Sequence, residues 1–393
     1  MNLILLLEII FWSAVFLVLH SYVFFPKLIE FLARNKKQNQ RTWALNDSEL
    51  PHVDILLAVY NEENVMDKKI LSIFETNYPL DKIHVYIGSD ASTDKTNAII
   101  ERYQIIYPNI NLKVFARTGK SGIVNELSRI STSPIIILTD ANVFFEIDTI
   151  FHLVKHYKND QIGLIGGNIV NPDYKNTGIS FQEKKYLERE NLVKYYEGIS
   201  MGAMIGAFGG CYSLRRELFL EVPKDFIVDD FFITMQVLRK NKDAINELSA
   251  VCMEDVSNKL SEEFRRKVRI SAGNFQNLFY FLDLLSPSRK GIAFCFFSHK
   301  VIRWITPFLL ILILGLNVLL VHSSYIYQWT LLAQVLLGSS LLIDRIFRRI
   351  GIHLKIFRFI THFYTMNVAL LVGFINYSMG VKASVWKPTE RNQ

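Results

Sequence analysis

Cysteine is scarce in this chain. There are three in 393 residues, Cys211, Cys252 and Cys295, and no two stand in Cys-x-x-Cys spacing. Neither a disulfide framework nor a zinc site is therefore expected, which fits a reducing compartment. His152 and His156 are four apart, but no glutamate follows the first, so the zinc-protease pattern fails. The Gly119-Lys120-Ser121 stretch lacks the earlier glycine of a phosphate loop. That position is Val114, within the apolar run 112–115, where a β-branched residue suits a strand. The first apolar run, residues 3–25, holds a single acid, Glu8. It has no basic segment before it and no small-x-small cleavage site after it. A retained membrane anchor is expected and not a cleaved leader.

Half of the chain is hydrophobic. Three further apolar runs lie near the C-terminus, at 304–321, 327–343 and 359–380, each close to the roughly 20 residues that a spanning helix needs. Asn317, Gln334, His362 and Asn367 interrupt them, which suggests faces turned toward protein. The net charge of +7 gathers beside these runs: Lys27, Arg34, Lys36, Lys37 and Arg41 after the first, and Arg345, Arg348, Arg349, Lys355 and Arg358 between the last two. Both clusters are expected on the cytoplasmic side, together with the globular middle section. Charge that follows membrane edges speaks for membrane lipids as partners and against nucleic acid. Lys382, Lys387 and Arg391 leave the side of the C-terminal tail open.

The middle section alternates between two patterns. Residues 53–59, 83–88, 112–115 and 134–138 are short apolar runs that read as strands. Between them lie helical segments, the first with Met66, Ile70, Ile73 and Phe74 on one face. Such alternation implies βαβ units around a mostly parallel sheet, an α/β fold. Ligands in these sheets bind beyond the carboxyl ends of the strands. Tyr60 and Glu62 follow the first strand, Asp90 the second, Lys120 the third, and Asp140 and Asn142 the fourth. Asp140 and Asn142 offer two oxygen ligands to Mg2+ or Mn2+. Asp90 can accept from a nucleobase or ribose hydroxyl, and Ser92-Thr93-Asp94 suit the cap of the next helix.

These motifs resemble the family 2 glycosyltransferases with a GT-A fold, over roughly residues 53–269. The family's Tyr-Asn-Glu-Glu is similar to residues 60–63, its Asp-x-Ser-x-Asp to 90–94, its Gly-Lys turn to 119–125, and its Asp-x-Asp to 140–142, with asparagine third. The resemblance implies a nucleotide-sugar donor held by Ala58, Tyr60, Glu62, Asp90, Lys120, Asn125 and Asp140. It implies an acceptor pocket at Gly209, Gly210 and Cys211. The stretch 227–238 resembles the helix that carries the catalytic base, with Asp229 and Asp230 in the catalytic positions. Asp255 is a rival base, but its distance from Arg269 is less like the family's. Phe264–Ile270 resembles the family's basic element, which puts Arg266 and Arg269 on the diphosphate. Ile270 stands where processive members carry tryptophan.

The expected organisation is an anchor at 1–26, a cytoplasmic GT-A domain at 45–285, an interfacial helix at 289–300, a membrane region at 301–381 and a tail at 382–393. Within the domain, residues 181–196 are expected to form a helix supporting the acceptor side. The expected activity is inverting transfer from a nucleotide sugar, UDP-linked, to a lipid-linked or polysaccharide acceptor in the cell membrane. A processive, polymer-extruding synthase is the alternative. A transporter or channel subunit with a nucleotide-sensing domain is the competing class, although four spans without paired charges suit it poorly.

Overall fold

The structure is a computed structural model that describes residues 3–171, 179–254, 260–349 and 354–380. Among the described residues, eight strands form one sheet: β1 (Val53–Val59), β2 (Ile83–Asp90), β3 (Ile110–Phe115), β4 (Ile135–Thr139), β5 (Val143–Phe145), β6 (Ile162–Val170), β7 (Cys211–Arg215) and β8 (Asp243–Glu254). Their order is β3-β2-β1-β4-β7-β6-β8-β5. The first four run parallel, as do β6 and β8; β7 is antiparallel to both of its neighbours and β5 to β8. The helices are α1 (Leu3–Leu19), α2 (Phe25–Ala33), α3 (Glu63–Phe74), α4 (Thr96–Ile106), α5 (Lys120–Ile130), α6 (Thr149–Val154), α7 (Ile179–Met201), α8 (Asp229–Arg239), α9 (Leu260–Tyr280), α10 (Gly291–Cys295), α11 (Ile302–Leu320), α12 (Tyr325–Arg349) and α13 (Lys355–Ser378).

The chain divides into two compact units. Among the described residues, one comprises 3–28, 260–278, 296–349 and 354–380; the other comprises 29–171, 179–254 and 279–295. The second unit contains the sheet. β1 is apolar at nearly every position because both of its faces are covered, and six of its seven residues are buried. Met66, Ile70, Ile73 and Phe74 of α3 all enter the same core, as the 3.6-residue period requires. The one charge in β1, Asp54, is fully buried and satisfied by the loop before β4. It accepts from Ser131 Oγ (2.7 Å), the Thr132 and Ser133 amides (2.7 and 2.8 Å) and Ser133 Oγ (2.5 Å).

Two expectations need correction here. The absence of Cys-x-x-Cys spacing argued against disulfides, yet Cys211 of β7 is bonded to Cys252 of β8. These strands are separated by β6, and Gly167 of β6 lets the sulfurs meet over it: a Cβ there would lie 2.6 Å from Cys211 Sγ. The pairing removes the cysteine argument for a reducing compartment. Residues 291–300, read as part of a separate interfacial helix, instead form the first turns of a helix that runs from Gly291 to Leu320. Lys290, with φ 44°, makes the break before it, and no breaker follows until Pro307, inside α11.

In the first unit, α1 packs on α11 and α12 through Phe11, Ala14, Ile313, Leu316, Leu320 and Tyr327. Among the described residues, four helices, Leu3–Ala33, Gly291–Leu320, Tyr325–Phe347 and Ile356–Ser378, are long and apolar enough to cross a membrane. Asn317 is fully buried and lies 3.2 Å from Thr330 Oγ1 of α12, so this polar residue does face protein.

Candidate active site

The loops after β1 and β2 are knitted together at the carboxyl edge of the sheet. The Asn61 amide donates to Ser92 Oγ (3.1 Å), and Asn61 Oδ1 accepts from the Thr93 amide (2.8 Å). The Glu62 amide donates to Thr96 Oγ1 (2.8 Å), the Glu63 amide to Asp94 (3.1 Å), and the Lys95 amide to Glu63 (3.0 Å). Ser92, Thr93 and Asp94 thus serve the neighbouring loop. Of the three, Asp94 also accepts from the Thr96 amide (3.0 Å), at the first residue of α4. Two residues here hold left-handed backbone conformations without being glycine: Asn61 at φ 53° and Ala91 at φ 58°. For alanine such a conformation is strained, and strain of this kind gathers at functional loops.

Asp90 ends β2, and its carboxylate organises the stretch 117–119. It accepts from the Thr118 amide (2.6 Å), the Gly119 amide (3.1 Å) and Arg117 Nη1 (2.5 Å). Gly119 takes φ 83°, which favours glycine, and delivers Lys120 as the first residue of α5. The Gly-Lys-Ser-Gly stretch is therefore a turn that presents a lysine at the sheet edge. Arg117 escaped the sequence reading, although it stands three residues before Lys120. Its guanidinium lies 3.3 Å from the centre of the Tyr60 ring, so it joins Tyr60 to Asp90.

Lys120 reaches Asp140 at 2.6 Å and Asp229 at 3.9 Å. Burial works against its charge, but the carboxylates of Asp140, Asp229 and Asp230 outweigh burial and raise its pKa. Asp229 and Asp230 form the first turn of α8, where carboxylates are favoured by the helix dipole. Asp230 Oδ1 accepts from the Phe231 amide (2.7 Å), and its backbone carbonyl accepts from Thr234 Oγ1 (2.8 Å), which in turn accepts from the Ala207 amide (3.0 Å). This chain ties α8 to the glycine segment before β7. A Cβ at Gly209 would lie 2.7 Å from Asp230 Oδ2, and one at Gly210 would lie 2.6 Å from Val143 and 3.7 Å from Asp140 Oδ2. A side chain at Gly209 would crowd the Asp230 carboxylate, and one at Gly210 would press on Val143 beside Asp140. Burial first, and then Asp229, push the Asp230 carboxyl up to about 6, against the pull of Lys120, the Phe231 amide and Lys194. Tyr212 of β7 is buried beside the same acids; burial, then Asp229, Asp230 and Asp140, raise its phenol well above the usual range.

Not every expected residue joins this group. Asn125 is buried, and its amide is spent on the Val222 backbone in both directions (2.8 and 2.9 Å), so it fastens α5 to the chain ahead of α8. Cys211 is fully buried in the core and bonded to Cys252. Ala58 and Tyr60 are half-buried at the end of β1, and Glu62 is buried. Arg266 and Arg269 share a face of α9, which belongs to the first unit. Asp255 lies outside the described residues.

The description "Glycosyl transferase family 2" matches residues 54–222, the stretch that contains β1 to β7 and the loops just described. Residues 54–222 thus carry a family 2 glycosyltransferase domain. Among curated proteins, the chain is 27% identical over 254 residues to a beta-monoglucosyldiacylglycerol synthase of Nostoc, covering 62% of this chain and 53% of that protein. The chain thus spans about half the length of that relative. It is 21% identical over 314 residues to a poly-beta-1,6-N-acetyl-D-glucosamine synthase of Staphylococcus aureus, covering 78% of this chain and 73% of that one. A mannosyltransferase from Pyrobaculum calidifontis, solved with GDP-Man and Mn2+, superposes with a TM-score of 0.70 over 95% of this chain and 99% of its own, at 21% identity. That likeness establishes the GT-A-like fold. The domain is an enzyme's, and its relatives are glycolipid and polysaccharide synthases.

Proposed function

We propose that the protein transfers a sugar, with inversion, from a UDP-linked donor to a lipid-linked acceptor, in one or a few steps per encounter. The observation that carries this reading is the convergence of Lys120, Asp140, Asp229 and Asp230 at the carboxyl edge of the sheet. Asp230 is the base. Its pKa near 6 leaves it ionised at neutral pH and more basic than an ordinary carboxylate. It removes the proton of the acceptor hydroxyl as that oxygen attacks the anomeric carbon. Attack on the face opposite the departing diphosphate inverts the centre, and no carboxylate nucleophile is needed. In this reading Lys120 meets the diphosphate and takes the charge that develops on the leaving group, with Arg117 and Tyr60 on the nucleotide side.

A divalent cation, Mg2+ or Mn2+, fits beside Asp140. The Asp140 carboxylate and the Asn142 amide offer oxygen ligands, and Gly210 keeps the adjoining space open. Among the described residues no three His, Cys, Asp or Glu side chains gather to hold a metal. Asp140 and Asn142 would hold such a cation, and bound donor would favour its binding. When bound, it neutralises charge on the diphosphate.

The basic clusters flanking the apolar runs support a catalytic unit on the cytoplasmic face. Ile270 offers no aromatic face for stacking a sugar between additions, which favours few transfers over polymer synthesis. The test is full-length protein in detergent, given a panel of UDP- and GDP-sugars with membrane lipid extract, and mass analysis of the products. A single sugar on lipid from a UDP donor is expected. No turnover with any nucleotide sugar would refute the reading.

A further inference from the structure

One buried cation stands apart from the groups assigned so far. Lys69 lies on the core face of α3 and has no solvent exposure. Its ammonium donates to Thr139 Oγ1 (2.7 Å) and to the Val143 carbonyl, and sits 4.1 Å from the centre of the Phe145 ring. Thr139 and Val143 are the residues on either side of the Asp140-Ala141-Asn142 turn, so a single ammonium grips both ends of it. Thr139 Oγ1 donates onward to the Gly210 carbonyl (2.9 Å), extending the grip to the glycine segment that borders Asp140 and Asp230.

A fully buried lysine is unfavourable unless its hydrogen bonds are satisfied, and here burial lowers its pKa to about 7, against the opposing pull of Asp140. A methionine would fill the same volume without that penalty, so core packing alone does not explain a lysine. What the ammonium adds is direction: it bonds to one side-chain hydroxyl and one backbone carbonyl that flank one short turn. The helix that carries it also begins with Glu63 of the loop after β1, so the turn is referenced to the nucleotide side of the site.

We propose that Lys69 is a positioning residue, which locks the Thr139–Val143 turn so that the Asp140 carboxylate and the Asn142 amide converge on one divalent cation. This rests on the cation reading given above. The sign of the effect separates positioning from simple charge. Removing a positive charge near Asp140 would, by Coulomb's law alone, tighten cation binding. Loss of positioning loosens it.

The experiment titrates Mn2+ into full-length protein in detergent with UDP present, following free Mn2+ by electron paramagnetic resonance, with thermal melting in parallel. Wild type binds. Lys69→Met is expected to bind Mn2+ at least about 10-fold more weakly while still melting cooperatively. Equal or tighter binding in Lys69→Met overturns the positioning role and leaves the cation reading intact. Absence of Mn2+ binding in wild type overturns the cation reading, and Lys69's role with it. If Lys69→Met does not fold, Thr139→Val decides: it removes one anchor from a strand position that accepts β-branched residues. A drop of about 3-fold supports the proposal, and unchanged binding overturns it.

Discussion

Replacing Asp230 by asparagine keeps the shape of the side chain and removes its ability to take a proton. Acid–base catalysis contributes about 10²–10⁴ in rate, so transfer should fall at least about 100-fold while donor still binds. The same substitution has a second consequence. Asp230 is shifted from 3.8 to about 6 in the folded protein, so the folded state holds this proton about 100-fold more tightly than the unfolded chain. The folded state is therefore not penalised below 3.8, is increasingly penalised as pH rises toward 6, and carries the full penalty above it. That penalty is on the order of 1–3 kcal/mol, after allowing for solvent at the half-buried carboxylate. Asparagine does not ionise, so Asp230→Asn should melt at a higher temperature than wild type at pH 8, with the gap closing near pH 4. Wild-type transfer should rise with pH through about 6, and the residual rate of the mutant should be flat there. The assay pairs initial rates across pH with melting curves in the same detergent. Wild-type rates in the mutant, or a surviving rise near 6, would refute the base assignment. A mutant less stable than wild type at pH 8 would refute the electrostatic argument.

Asp140→Ala should abolish both stimulation by divalent ions and donor binding; full wild-type activity in excess EDTA would count against the cation. Arg117→Ala removes the contact between Tyr60 and Asp90, and should raise the donor KM about 10-fold with a smaller change in kcat; an unchanged KM would show that Arg117 only supports the turn. Ala91→Gly should stabilise the protein by about 0.5 kcal/mol, because relief of a left-handed alanine, roughly 1–2 kcal/mol, exceeds the entropic cost of glycine; denaturant melts giving a loss would contradict the strain. Product length from purified enzyme in excess donor should stay at one or a few sugars, and ladders of many tens from single encounters would establish a processive synthase instead.

Much of the site was legible in the sequence because covered parallel strands leave a simple trace. β1 was predicted at its observed bounds, residues 53–59, since a strand buried on both faces is an unbroken apolar run ended by polar residues. The other three began or ended within a few residues of their predicted bounds. The ends of such strands in one sheet must fall on one edge, so Tyr60, Asp90, Lys120 and Asp140 could be grouped before any distance was known. The antiparallel strand β7 at the middle of the sheet leaves no comparable trace, and neither does the pairing of β6 with β8.

The chain's local pattern determined the apolar helices, the βαβ half of the sheet and the motifs at its edge, because those depend on periodicities of two and 3.6 residues within short windows. Tertiary structure alone decided the partners. It spent Asp90 on the Arg117–Gly119 turn, Asn125 on Val222, and Cys211 on Cys252 across the side-chain-free Gly167. It also placed Lys69, an ordinary-looking lysine in a helix, beneath the turn that carries Asp140. Hydrogen bonds and ion pairs act over about 3 Å in space, and a sequence records distance only along the chain.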